Sequence, residues 1–132
     1  MTVFVDTSAF LAVLDADDES HARADVAWRK LLDSEDSLAT TNYVLVETFA
    51  LVQGRLGLDA VRVLQQDVLP ALRVIWVEAD LHGAATTALL TANRRRLSLV
   101  DCVSFDTMRR HGIQRVFAFD RHFAEQGFEA CR

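Results

Sequence analysis

Residues 2–14, TVFVDTSAFLAVL, decide the fold. The first four, TVFV, read as a short buried strand, because they are β-branched or aromatic with no charge among them. The strand ends on Asp6, and Thr7 or Ser8 then caps a helix through AFLAVLDA (residues 9–16). A strand that runs straight into a helix opens a βα unit. Residues 115–120, RVFAFD, repeat the pattern near the other end, with the short helix DRHFAEQG (120–127) after them. Both strands end on a carboxylate.

The chain between them alternates in the same way. SHARADVAWRKLLDS (20–34) reads as a helix, SLATT (37–41) as a second strand, and NYVLVETFALVQGRLG (42–57) as a helix with Leu45, Phe49 and Val52 on one face, ending near Gly54 or Gly57. LDAVRVLQQDVLPAL (58–72) predicts a helix capped by Asp59 and ended near Pro70. RVIWV (73–77) is a third strand. EADLHGAATTALLTANRRR (78–96) and SLVDCVSFDTMRRHG (98–112) are helical, and FEAC (128–131) is a possible last strand. Alternation of this kind predicts an α/β fold: a central parallel sheet of four to five strands flanked by helices. Without a repeat, a low-complexity tract or a linker, residues 1–132 are expected to form one domain.

Half of the 132 residues are apolar and a quarter are charged, the composition of a globular chain with a real core. No apolar run is long enough for a membrane helix, and MTVFVDTSAF lacks a signal-peptide pattern, so the expected location is the cytoplasm. Cys102 and Cys131 lack metal-ligand spacing and are expected to be reduced. The net charge of −5 is unevenly spread: residues 1–66 hold five basic and eleven acidic residues, residues 67–132 nine and eight. From Arg94 to Arg121 seven arginines face three acids, so a positive region lies late in an acidic chain.

Ligands of open α/β sheets bind beyond the carboxyl ends of the strands. Four acids are predicted there. Asp6 and Asp120 directly follow strands. Glu47 lies early in the helix after the second strand, within YVLVETFALV, and Asp101 in the first turn of SLVDCVSF. Singly, each has an ordinary explanation as a helix cap, a dipole partner or half of an ion pair. Together at one sheet edge they would repel one another and resist ionisation, and a divalent cation removes that conflict. Oxygen ligands without histidine or thiolate select Mg²⁺ or Mn²⁺. The acids at 15, 17, 18 and 19 read as a solvated run, and Asp106 points elsewhere on its helix.

VFVDTSAFLAVL, NYVLVETFALV, LSLVDCVSFDTMRRHG and VFAFDRHFAEQGF together resemble the PIN domain, and more closely the VapC-type toxins of bacterial toxin–antitoxin pairs. The resemblance spans essentially the whole chain. It implies a metal-dependent ribonuclease with an acidic pocket at Asp6, Glu47, Asp101 and Asp120, and with the hydroxyl residues after the first acid at Thr7 and Ser8. Many relatives carry threonine or serine shortly before the last acid, where this chain has Ala118 and Phe119, and this departure implies a less complete second metal site beside Asp120. The resemblance also implies a small VapB-like antitoxin and a homodimer.

The expected chemistry is RNA phosphodiester cleavage, with Asp6, Glu47 and Asp101 around the ion and Asp120 as a further ligand. Thr7 and Ser8 are candidates for positioning phosphate, and Arg94, Arg95, Arg96, Arg109, Arg110 and Arg121 for holding the RNA backbone. His122 could contact a phosphate but is expected at the surface without a role, and Trp28 and Trp76 in the core or an interface. The alternative is a non-catalytic PIN module that binds RNA or a protein. A phosphoacceptor signalling domain would want a lysine after a late strand, and the one lysine is Lys30. A phosphatase with an aspartyl nucleophile would want an acid at position 8, which is serine.

Overall fold

In the computed structural model, which describes residues 1–131, five strands form one parallel sheet in the order β3-β2-β1-β4-β5. They are β1 (Thr2–Val5), β2 (Ser37–Thr41), β3 (Arg73–Ile75), β4 (Arg115–Phe117) and β5 (Glu129–Ala130). The central strand pairs on both sides, Phe4 lying opposite Ala39 of β2 and opposite Val116 of β4. Val3, Phe4 and Val5 are fully buried, as a strand covered on both faces requires. Order along the sheet reverses between β1 and β4. That makes the carboxyl ends of these two strands the switch point where α/β sheets open a crevice.

The helices are α1 (Thr7–Leu14), α2 (His21–Asp33), α3 (Asn42–Leu56), α4 (Leu58–Val63), α5 (Ala79–Ala92), α6 (Leu99–Arg110) and α7 (His122–Glu125). Phe4 and Phe117 are one step out of register, so they point to opposite faces of the sheet. Trp28 of α2 stacks on Phe117 with ring centroids 6.4 Å apart. On the other face Phe123 of α7 packs against Phe4 at 6.5 Å and edge-on against Phe105 of α6 at 5.1 Å. The parallel sheet between two helical layers is the expected architecture. Among the described residues no helix is long and apolar enough to cross a membrane.

Several boundaries differ from the sequence reading. The cap of α1 is Asp6 itself, whose side chain accepts from the Ser8 amide, so the helix begins at Thr7. Residues 58–72 form no uniform helix: α4 passes into wider π turns over Leu64–Val68 and a 3-10 turn over Leu69–Ala71. Its N-cap is Gly57, at φ 87°, a backbone region that favours glycine. Asp59 instead stays exposed and pairs with Arg62 at 2.7 Å. α5 ends at Asn93 in the left-handed conformation, so Arg94, Arg95 and Arg96 lie in the turn beyond it.

Candidate metal centre

The site grows from the ends of β1 and β4. The Asp6 amide donates to the Phe117 carbonyl at 3.1 Å, which extends the β1–β4 ladder one step and holds the two exits together. The Asp6 carboxylate turns back over the start of α1. Its Oδ2 accepts from the Ser8 amide at 3.1 Å and from the Ser8 hydroxyl at 2.7 Å. Ser8 Oγ in turn accepts from the Phe119 amide at 2.9 Å, so one hydroxyl joins the first acid to the approach of the last.

Asp101 arrives from α6. Ser98 caps that helix, its Oγ accepting from the Asp101 amide at 3.0 Å while Asp101 Oδ2 accepts from the Ser98 amide at 3.1 Å. This reciprocal capping box locks the side chain in the first turn. Asp120 is held by its own turn, Oδ1 accepting from the His122 amide at 2.9 Å.

Asp6 is 4% and Asp101 8% exposed. Burial pushes the Asp6 carboxyl up to about 6; the two hydrogen bonds from Ser8 pull it down, and the charges of Asp101 and Asp120 push it up again. A buried carboxylate with like charges beside it and no cationic side chain among its main influences is short of positive charge. That shortage, with carboxylate oxygens as donors, fits a hard divalent cation.

Glu47 comes from α3. It is half-buried on α3 and lines a cleft of about 320 Å³ with Asn42, Tyr43, Val46 and Val100. Val100 precedes Asp101, so this cleft borders the start of α6. A larger hollow of about 550 Å³ lies along α2, between Val26, Leu31, Arg115 and Cys131. It contains no acid, and its walls are mostly apolar.

The remaining candidates divide. Thr7 is buried with its hydroxyl turned inward, donating to the Val44 carbonyl at 3.4 Å and accepting from Thr48 at 3.0 Å. Thr7 therefore ties α1 to α3 and is not placed to meet a substrate. Arg94 pairs with Glu125 at 3.2 Å, and Arg121 approaches the same carboxylate at 4.0 Å. Arg110 bridges Asp80 and Asp106, and Arg109 reaches Gln126 at 2.7 Å. Arg95 and Arg96 are exposed. Trp76 is 70% exposed, at the rim of a cleft with Leu45, Val46 and Phe49, while Trp28 packs on the core.

His122 is the residue that sequence reasoning missed. Its side chain is only 15% exposed, and Nδ1 lies 3.2 Å from Asp120 Oδ1 and 3.4 Å from Asp101 Oδ2. A spacing of two residues from Asp120 was the only available signal, and a four-residue helix has no periodicity to show which way it faces.

Ser8→Ala removes the hydroxyl donor to Asp6, leaving the backbone amide donor, and it removes the acceptor of the Phe119 amide. Leaving buried polar groups unpaired costs about 1–3 kcal/mol. Chemical denaturation should show a loss of that size, and titration of the Asp6 carboxyl should move further up.

The PIN domain family matches residues 3–129. The chain is 37% identical over 131 residues to the 23S rRNA-specific endonuclease VapC20 of two Mycobacterium tuberculosis strains, covering 98% of either protein. It superposes on the crystal structure of M. tuberculosis VapC20, described as a sarcin-ricin loop cleaving toxin, with a TM-score of 0.84 at 36% identity, covering 96% of this chain and 95% of that one. The fold also matches VapBC2 from Rickettsia felis bound to a promoter DNA fragment, with a TM-score of 0.72 at 13% identity over 98% and 97% of the two chains. FitAcB from Neisseria gonorrhoeae gives 0.70 at 17% over 100% and 97%. The parallel sheet, the acids at its switch point and an end-to-end match at this level of identity have one reading: the chain belongs to the PIN-domain family.

Proposed function

We propose that the protein is a Mg²⁺- or Mn²⁺-dependent endoribonuclease that cleaves 23S ribosomal RNA as the toxin of a type II toxin–antitoxin pair. The observation that carries this reading is the convergence of Asp6, Asp101 and Asp120 at the sheet's switch point, with Asp6 pushed up to about 6. Its setting supports the substrate: the chain aligns end to end with a 23S rRNA endonuclease. The whole of residues 1–132 acts as the nuclease domain, in the cytoplasm.

A bound divalent cation would lower the pKa of a coordinated water and offset charge on the phosphoryl oxygens. The protein's part is to hold that ion and align the RNA. Asp6, Asp101 and Asp120 would supply carboxylate oxygens to the ion. Ser8 and Ser98 fix the orientation of Asp6 and Asp101. Glu47 completes the acidic set from the α3 side of the cleft. Arg95 and Arg96 draw in the phosphate backbone, joined by Arg94 and Arg121 once RNA competes with Glu125. A VapB-like antitoxin covers this acidic cleft and silences it, and two copies of the toxin associate as a homodimer.

The test is incubation of purified protein with 70S ribosomes, total tRNA and messenger RNA, in Mg²⁺, in Mn²⁺ and in EDTA, with fragment ends mapped by primer extension. The expected result is one metal-dependent cut in 23S rRNA. Metal-dependent cuts confined to tRNA or messenger RNA would overturn the substrate and leave the nuclease standing. Intact RNA throughout, from folded protein free of antitoxin, would replace the nuclease with a binding module.

A further inference from the structure

We propose that His122 is a direct nitrogen ligand of the cation, so that the site is a mixed oxygen–nitrogen centre built on Asp101, Asp120 and His122. The proposal rests on the metal-dependent reading above and specifies the chemistry of that site.

Ligand atoms from Asp101, Asp120 and His122 all lie within 4.8 Å of one another. His122 Nδ1 is buried, yet it makes no hydrogen bond. Its two acidic neighbours, at 3.2 and 3.4 Å, are close without the alignment a donated proton needs. Two ligands at right angles on an ion with bonds of about 2.1 Å sit about 3 Å apart, which is near the spacing of this cluster. An unprotonated Nδ1 this close to two carboxylates is repelled in the absence of a cation and satisfied in its presence. Nε2 then carries the ring proton.

The position of the ring is imposed by its neighbours. Phe123, the next residue, is 1% exposed in the aromatic cluster of Phe4, Phe105 and Phe128, which anchors α7 against α6. The Asp120 carboxylate accepts the His122 amide, fixing the backbone on the other side. His122 therefore faces Asp101 of α6 and Asp120 in the turn after β4, in a position set by packing. A nitrogen ligand changes the choice of ion. Imidazole suits borderline transition ions, whereas Mg²⁺ prefers oxygen. The centre should favour Mn²⁺ over Mg²⁺ more strongly than carboxylates alone would.

The test is pulsed electron paramagnetic resonance of the full-length protein loaded with Mn²⁺, beside His122→Ala, His122→Asp and Asp101→Asn, with Mn²⁺ and Mg²⁺ affinities measured by calorimetry. A ¹⁴N coupling to bound Mn²⁺ in the native protein, absent from His122→Ala, is the expected result. The same variant should bind Mn²⁺ about tenfold or more weakly, and His122→Asp should restore affinity with a shift toward Mg²⁺. Mn²⁺ that binds without nitrogen coupling, or with the same coupling in His122→Ala, would overturn the ligand and leave the metal-dependent nuclease intact. Failure of the native protein and every variant to bind Mn²⁺ or Mg²⁺ would remove the metal reading, and the ligand with it. Circular dichroism of His122→Asp, which keeps a polar group at the site, separates a lost ligand from a lost fold.

Discussion

Asp6→Asn is expected to abolish RNA cleavage while making the metal-free protein more stable at neutral pH. The two effects have one cause. The carboxylate lies in a buried position beside Asp101 and Asp120, and burial pushes it up from 3.8 to about 6. A group whose folded pKa is raised stabilises the fold when protonated, fully below the unfolded value near 4. That contribution is lost as pH rises through 6. Wild-type protein in EDTA should therefore lose stability between about pH 4 and pH 6. A rise of that size corresponds to at most about 3 kcal/mol. The asparagine amide has no charge to bury, so the variant should lack this slope and unfold later at pH 7.5. In cleavage the order reverses. With Asp6 as a proposed oxygen ligand of the ion, its loss removes charge stabilisation worth several kcal/mol, about a thousandfold in rate. Denaturation across pH 4–8 and cleavage assays in Mn²⁺ check the two halves. A variant less stable than wild type at pH 7.5 would show that Asp6 is not the strained carboxylate. Cleavage persisting at the wild-type rate would move the chemistry to other residues.

Phe123→Ala should produce the largest loss of stability among single changes near the site. The ring is buried, edge-on to Phe105 at 5.1 Å, with Phe4 at 6.5 Å and Phe128 at 6.3 Å. Truncating a buried phenylalanine costs about 3–5 kcal/mol, a large part of the roughly 5–15 kcal/mol that holds a domain folded. Urea denaturation should show a lower midpoint with an unchanged slope. Because α7 has only four residues and carries His122, loosening its anchor should also release the ring from Asp101 and Asp120. Cleavage should then fall further than the folded fraction alone accounts for. A midpoint shift worth under about 1 kcal/mol would mean that α7 is not held by this cluster.

How much of the site is readable without coordinates depends on the range of the interactions. The placement of Asp6 directly after an apolar strand is local, and TVFVD shows it; in RVFAFD the strand stops at Phe117, and Ala118 and Phe119 separate it from Asp120. Asp101 was also legible, from its place in the first turn of SLVDCVSF among apolar residues. Glu47 was assigned to the same group on its position in α3. There it lines a cleft with Asn42, Tyr43, Val46 and Val100, the last of these next to Asp101. Thr7 and Ser8 are adjacent hydroxyls with similar propensities, yet one is drawn to Val44 and Thr48 across the α1–α3 contact and the other to Asp6 and Phe119. No local rule separates them.

The sequence by itself determined the alternation of strands and helices, the parallel sheet that follows from it, and the end of the sheet at which the acids collect. These depend on apolar periodicity and on covalent adjacency, which folding does not alter. Tertiary structure alone decided the strand order that brings the exits of β1 and β4 together, the inward turn of Thr7, and the burial of His122 between two acids. Each of these depends on which surfaces meet across tens of residues, and a histidine in a four-residue helix takes its orientation from the aromatic cluster beside it.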